Sequence, residues 1–470
     1  MHAEALATSL ALFVVFAVVG YPIVVELLDT TPLQQVLLAP VAGLCAITFA
    51  VATINHLGAP VGPIGQPVLW IALLAAAAYY VRRRPRIPWR EARPFLIVLA
   101  AAFAIVAWPM ALFNFDWISY GNADMPVYLL GGNHFFSHGY FQLPPASELF
   151  NERDPSWNTS FYYSFSEVRY AAPLMLAWAM SVTGLSAGAA FMPMIVALHL
   201  IVIASASGLL AARGDRGRAA LLACVLLAVS ANLLSGTLRE LLPQDFGLAV
   251  LAGAVATLLR ALPQTRAAIL KRVVLGSLFA GTLVIGYPEV VPFLIAPAGF
   301  YAALRLFRSR ADWRRWALLG AAVLFGTLVV ANENVPGAIG LLFKQAAAAT
   351  PAGAANNREL FSEFLTPLVF PLFWGLATVG SGFGAWTGLA IACAAIAMAG
   401  AYVAAVRYSI AMEPTAMILL VMLATFVQLM LTSGAFGTFK LAMYIQPFLL
   451  GTLACWLADI LGSRAAREAM

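Results

Sequence analysis

The sequence predicts an all-α fold: a polytopic bundle of about thirteen membrane-spanning helices. Three observations predict it. Only 10% of the residues are charged against 62% hydrophobic, whereas an ordinary soluble domain carries about 25% charged residues. The apolar residues fall into runs of about 17–25, the length that an α-helix needs to cross about 30 Å of hydrocarbon. Short basic or Pro/Gly loops separate the runs, and only helices or closed barrels satisfy their backbone groups inside lipid.

The net charge of +6 and the sequence pI near 9.2 do not indicate nucleic-acid binding. Arginines gather at 82–93, 213–218, 260–272 and 305–315, with Arg407, Arg464 and Arg467 later, and the positive-inside rule assigns such loops to the cytoplasm. The crossings are then 5–26, 33–56, 66–81, 95–113, 187–211, 219–235, 246–262, 273–287, 290–304, 316–332, 386–406, 415–432 and 441–461, with the N-terminus outside. Segments 170–184 and 361–380 are apolar, but as crossings they would break this alternation. They are expected at the outer interface, the second as an interfacial or re-entrant piece.

Three regions follow. Residues 1–94 form a three-span scaffold, 95–332 a core with the outer loop 114–186, and 333–470 the outer loop 333–385 with the last three spans. Cys45, Cys224, Cys393 and Cys455 all lie in apolar runs, so no disulfide framework is implied. The first run begins near Ala5 without a basic segment before it, which predicts a retained span. Six cations remain on the acid-rich outer side against the insertion rule: Arg153, Arg169, Arg239, Lys344, Arg358 and Lys440. Each is a candidate for binding an anion.

Taken in order, the first three spans carry few polar side chains, and His56 closes the second as an interfacial histidine. The fourth delivers Asn114, Phe115, Asp116 and Trp117 to the outer surface. There Asn122 or Asp124 can cap a helix that has Pro126 in its first turn. His134 and His138 lie at i and i+4 on one helix face, a spacing able to take a metal, or to pack or hydrogen-bond substrate at a wet interface. No Glu stands between them as a zinc-protease helix requires. The loop Ser235 to Asp245 places Arg239 and Asp245 between two spans, with Asp245 either a helix cap or a second acid beside Asp124. Tyr287-Pro288-Glu289 interrupts two short spans, and a carboxylate at that depth is expected to face a cavity. Asn332 to Glu359 is expected to be a mobile loop over the site, with Arg358 pairing to Glu359 or Glu363 or helping to bind an anion. Ser433 to Lys440 is expected to be a Gly-rich outer turn, with Lys440 opening the last span.

An aspartate just outside a span, a Tyr four residues on and a short helix ending in Gly-Tyr-Phe (Asp124, Tyr128, Gly139, Tyr140, Phe141) resemble the first outer loop of the GT-C superfamily of membrane glycosyltransferases. The Pro-containing helix at Pro173 to Trp178, the turn Thr183 to Ser186 and the span ending at Arg213 are similar as well. The likeness covers roughly 95–310 and the last spans. It implies inverting transfer of a sugar from a polyprenyl-phosphate donor to an envelope lipid, glycan or protein acceptor, on the outer face of a bacterial inner membrane. It implies Asp124 as base, with Asp116 and Asp245 as further acids, and Lys440 on the donor phosphate with Arg358 and Arg239 as helpers. Tyr128, His134, His138 and Glu289 are expected to touch substrate. The usual paired acid is imperfect, with Ala123 beside Asp124, so a divalent cation stays open as cofactor.

The residues support this chemistry independently. Transfer from a lipid phosphate needs a carboxylate to take the proton of the attacking hydroxyl and cations to hold the departing phosphate. Two alternatives are a transporter or flippase for a lipid-linked or anionic solute and an envelope-glycan polymerase or ligase. No internal repeat favours the transporter.

Overall fold

A computed structural model of the chain describes all residues except 1, 114, 116–123, 152–153, 158–168, 213–215, 310–311, 349–360, 378–383, 385 and 469–470. The described residues contain helices and turns and no strand. In order, the first half holds α1 (His2–Leu27), α2 (Pro32–His56), α3 (Val61–Arg83), α4 (Trp89–Leu112), α5 (Asp124–Ser137), α6 (Ala146–Asn151), α7 (Ala171–Thr183), α8 (Ala187–Leu210), α9 (Gly217–Ala228) and α10 (Ala231–Leu238). The second half holds α11 (Leu242–Leu258), α12 (Arg266–Gly286), α13 (Pro292–Arg308), α14 (Trp313–Ala331), α15 (Asn334–Ala348), α16 (Val369–Phe373), α17 (Thr387–Ile410), α18 (Pro414–Leu431), α19 (Ala435–Tyr444) and α20 (Gln446–Glu468).

Among the described residues ten helices are long and apolar enough to cross a membrane, or up to twelve if each bent pair is one span. The bent pairs are α9 with α10 and α19 with α20, each turned by 50°. The predicted crossing at 246–262 corresponds to α11, which has only 17 residues.

Local chemistry sets the helix ends. Thr31 accepts a hydrogen bond from Gln34 N at 3.2 Å ahead of Pro32, and Ser186 and Thr265 cap α8 and α12 in the same way. These side-chain oxygens satisfy amide donors that the helix itself leaves unpaired. At the other end of α7 Gly184 takes φ 73°, a left-handed stop that glycine adopts without strain.

Apolar patterning then sorts the helices. Nearly every residue of α8 is buried, so this helix forms the centre of the bundle, against α1, α2, α4, α7 and α11. By contrast α3, α14 and α17 expose Trp70, Leu74, Leu324, Phe325 and Ile396, which suits a surface solvated by lipid tails. Helices α1 and α2 cross at Gly20 and Gly43. A Cβ on Gly43 would lie 1.9 Å from the Phe16 carbonyl oxygen, so only glycine allows this approach.

The arginine-rich helix ends meet one another. Arg216 pairs with Asp459 at 2.6 Å, Arg83 with Glu26 at 3.6 Å, and Arg308 donates to the Ile410 carbonyl at 3.0 Å. The polar outer segments meet at the other end, where His56 pairs with Glu333 at 2.6 Å and Asn55 donates to the His138 carbonyl at 3.0 Å.

Helix α7, with 13 residues not among the spans, is buried from Ala171 to Ser181 beneath α5 and against α3 and α8, because it is apolar all round. Three local expectations are corrected. The loop expected over Ser235 to Asp245 shrinks to 239–241, since α10 and α11 extend into it. The stretch after Asn332 is not all loop: the alanines continue α15 to Ala348, as alanine's high helix propensity favours. Likewise Ser433 to Lys440 is not an extended turn, for Lys440 sits within α19, whose Gly437 packs against Leu429.

Candidate functional site

At the end of the bundle away from the arginine-rich loops the breaks between helices open a cleft of about 490 Å³. Its wall brings together Asp124, Arg169, Tyr287, Glu289, Gln345, Lys440 and Tyr444, with Phe293, Leu429 and Leu441 on the apolar side. Asp124 lies in the first turn of α5, where a carboxylate suits the positive end of the helix dipole. Lys440 projects from α19 with its ammonium 5.7 Å from the centre of the Phe436 ring. The bend between α19 and α20 lets this short arm turn inward from the span.

Tyr287-Pro288-Glu289 forms the break after α12. Tyr287 ends the helix at φ −158°, and Pro288 to Val290 make one 3₁₀ turn before α13. Glu289 is only 8% exposed and pairs with Arg169. The Arg169 guanidinium also lies 5.4 Å from the Tyr287 ring centre, and its backbone takes φ 59°. A buried carboxylate needs such a partner, because an isolated charge out of water is costly. The Tyr287 and Tyr444 hydroxyls share a hydrogen bond, with the rings edge to face at 5.7 Å. This pair ties the break after α12 to the end of α19. Gly247 makes it possible: its missing side chain leaves room for Tyr287, whose Cβ would otherwise stand 2.4 Å away.

Of the residues expected in the site, Asp124, Glu289 and Lys440 line the cleft. Tyr128 is buried and is not among the residues of the cleft wall. Asp245 does not open to the cleft: it is fully buried and accepts from the Thr237 hydroxyl at 2.8 Å. The same hydroxyl stands 2.7 Å from His199 Nδ1. Arg239 faces the Phe439 ring at 5.2 Å, with burial pulling its pKa below the usual arginine value. His134 and His138 stack on each other at 5.0 Å under Trp157 and stand outside the cleft wall. Burial first, then the neighbouring His138, lowers the His134 pKa to about 4, so its ring is neutral at pH 7. Asp116 and Arg358 lie outside the described residues.

Among the described residues no three His, Cys, Asp or Glu side chains converge on a point that would hold a metal. Among the described residues His134 and His138 stack on each other and on Trp157.

Four polar cleft residues, Arg169, Tyr287, Gln345 and Tyr444, lie outside the expected site. Arg169 was legible only as one of six outer cations, and Gln345 only as part of a presumed loop. His56, expected as a simple interfacial histidine, joins a second polar cluster instead. Its ring stacks on Tyr140 at 4.1 Å, and the Tyr140 hydroxyl donates to Asn334 Oδ1 at 2.9 Å.

No protein-family description, curated protein or solved structure matches this chain.

Proposed function

We propose that the chain is an inverting glycosyltransferase, which moves a sugar from a polyprenyl-phosphate donor to an envelope lipid, glycan or protein acceptor at the outer face of a bacterial inner membrane. One observation carries this reading: a single cleft of a multi-pass protein collects two acids, Asp124 and Glu289, and two cations, Lys440 and Arg169, from distant parts of the chain. In the proposed step the acceptor oxygen attacks the anomeric carbon and Asp124 takes its proton. The bond from that carbon to the phosphate oxygen breaks with both electrons leaving on the phosphate. Lys440 and Arg169 hold the added negative charge. Glu289 keeps Arg169 in place, and the joined tyrosines close the floor. Asp245, buried away from the cleft, has no part in the step.

The test is transfer of labelled sugar from a polyprenyl-phosphate sugar pool in reconstituted vesicles. Asp124→Asn should abolish transfer and leave the melting temperature unchanged. Full transfer by that variant would remove Asp124 as base, and no turnover by the wild type across donors would remove the class.

A second reading, a transporter or flippase of a lipid-linked or anionic solute, is favoured by the buried Asp245, Thr237 and His199 chain, since polar groups deep in a bundle often line solute or proton paths. Solute crossing the vesicle wall without sugar transfer would select it.

A further inference from the structure

At the end of the bundle opposite the cleft, which the positive-inside rule assigns to the cytoplasm, three arginines stand at the ends of three helices, the first of which packs against the other two. Arg260 follows α11, Arg272 lies in the second turn of α12, and Arg305 lies in the last turn of α13. Arg305 donates to the Tyr301 hydroxyl through Nε at 3.2 Å and Nη2 at 3.0 Å. Tyr301 is also within electrostatic reach of Arg260 and Arg272, and these two arginines repel each other.

The cluster has donors left over. Arg272 is only 5% exposed, yet its Nη1 has no hydrogen-bond partner. Arg260 gives Nη2 to the Asp29 carbonyl at 3.0 Å, while its Nη1 is buried and unpartnered. Among the described residues none of the three forms an ion pair. Glu26 pairs with Arg83 at 3.6 Å and Lys271 at 4.0 Å, and Asp29 gives Arg260 its backbone carbonyl and the attraction of its carboxylate without forming an ion pair, while Arg272 and Arg305 have no acid on them among the described residues. Like charges drawn together with unfilled donors are costly unless an anion joins them. Guanidinium forks match the oxygens of a phosphate.

The level of the cluster narrows the anion. Trp316 meets the Tyr301 ring at 6.0 Å, and Trp313 stands 56% exposed beneath Arg314. Tryptophan and tyrosine collect where a bilayer meets water, and basic pockets between spans at that level bind lipid head groups.

We propose that Arg260, Arg272 and Arg305 bind the phosphate of an anionic phospholipid headgroup in the arginine-rich leaflet. The assignment is independent of the chemistry at the outer cleft.

The test uses the full chain, delipidated in a neutral detergent, with lipid binding counted by native mass spectrometry and stability followed by thermal melting. The probes are phosphatidylglycerol, phosphatidylcholine and inorganic phosphate. Wild type and the control Arg266→Gln should retain phosphatidylglycerol and melt higher with it. Arg260→Gln and Arg305→Gln should each weaken that binding about tenfold, as the loss of roughly 1.4 kcal/mol gives. These two positions are only half buried, so they carry the test if Arg272→Gln fails to fold. Unchanged phosphatidylglycerol binding in both variants would overturn the site. An equal response to phosphatidylcholine or to inorganic phosphate would overturn its assignment to an anionic lipid.

Discussion

Removing either member of the Arg169–Glu289 pair should destabilise the protein unequally. The Glu289 side chain is 4% exposed and that of Arg169 is 25% exposed. Arg169→Met strands a carboxylate with almost no access to water, and breaking a buried pair from one side costs about 3–5 kcal/mol. Partial exposure of the lost partner places the expected value near the lower end, about 3 kcal/mol. Glu289→Gln leaves the stranded group on Arg169, which reaches water and keeps its contact with Tyr287, so about 1–2 kcal/mol is expected. The double variant should be more stable than Arg169→Met alone, because it buries no charge. Unfolding in mixed micelles at pH 7, followed by helicity, measures all three. Equal costs for the two single variants, or additive costs in the double variant, would refute the reasoning, since either would mean that Glu289 does not depend on Arg169 for its charge.

Further perturbations test the other contacts. Gly43→Ala places a methyl group against the Phe16 carbonyl and should cost about 1–3 kcal/mol by forcing α1 and α2 apart, read as a lower unfolding midpoint. Gly247→Ala pushes on Tyr287, so in the vesicle assay transfer should fall through displacement of the Tyr287–Tyr444 pair. A pH effect follows from His134, whose pKa falls from 6.5 unfolded to about 4 folded. The unfolded chain binds the extra proton between these values, so this contribution is complete above about pH 6.5 and is lost as pH falls towards 4. At roughly 1.4 kcal/mol per pH unit the loss approaches 3 kcal/mol. Melting of wild type and His134→Gln across pH 7 to 4.5 should show a shallower fall in the variant, and equal slopes would remove His134 as the source.

Much of the bundle was legible because hydrocarbon imposes a one-dimensional rule. A run such as 187–211 has to be a helix, and Arg213 to Arg218 has to fall at one end of it. The segments left open or misread are those where that rule stops applying. Helix α7 is as apolar as a span yet only 13 residues long, and apolarity alone does not distinguish protein from lipid as its surroundings. Helix α15 was read as loop because Ala and Gly suggest flexibility on a surface, whereas its packing beside the Tyr287 break keeps it ordered.

The site divides in the same manner. Asp124, Glu289 and Lys440 each violate a local expectation: an acid at a span exit, an acid beside a proline at membrane depth, and a rare lysine on the wrong side for insertion. Such violations persist in a sequence only where a cavity or a partner accommodates them, so they could be read one residue at a time. Arg169 could not be read that way. Its value lies in Glu289, 120 positions away along the chain, and in a φ of 59° that no neighbouring residue announces. Asp245 was open for the converse reason: its position at a helix start suited a cap or a second acid beside Asp124, but Thr237 and the short turn at 239–241 draw it into the bundle, away from the cleft wall. Which acids face a cleft and which are sealed behind it depends on how far each helix extends past its apolar run, and that length is set by packing between helices rather than within them.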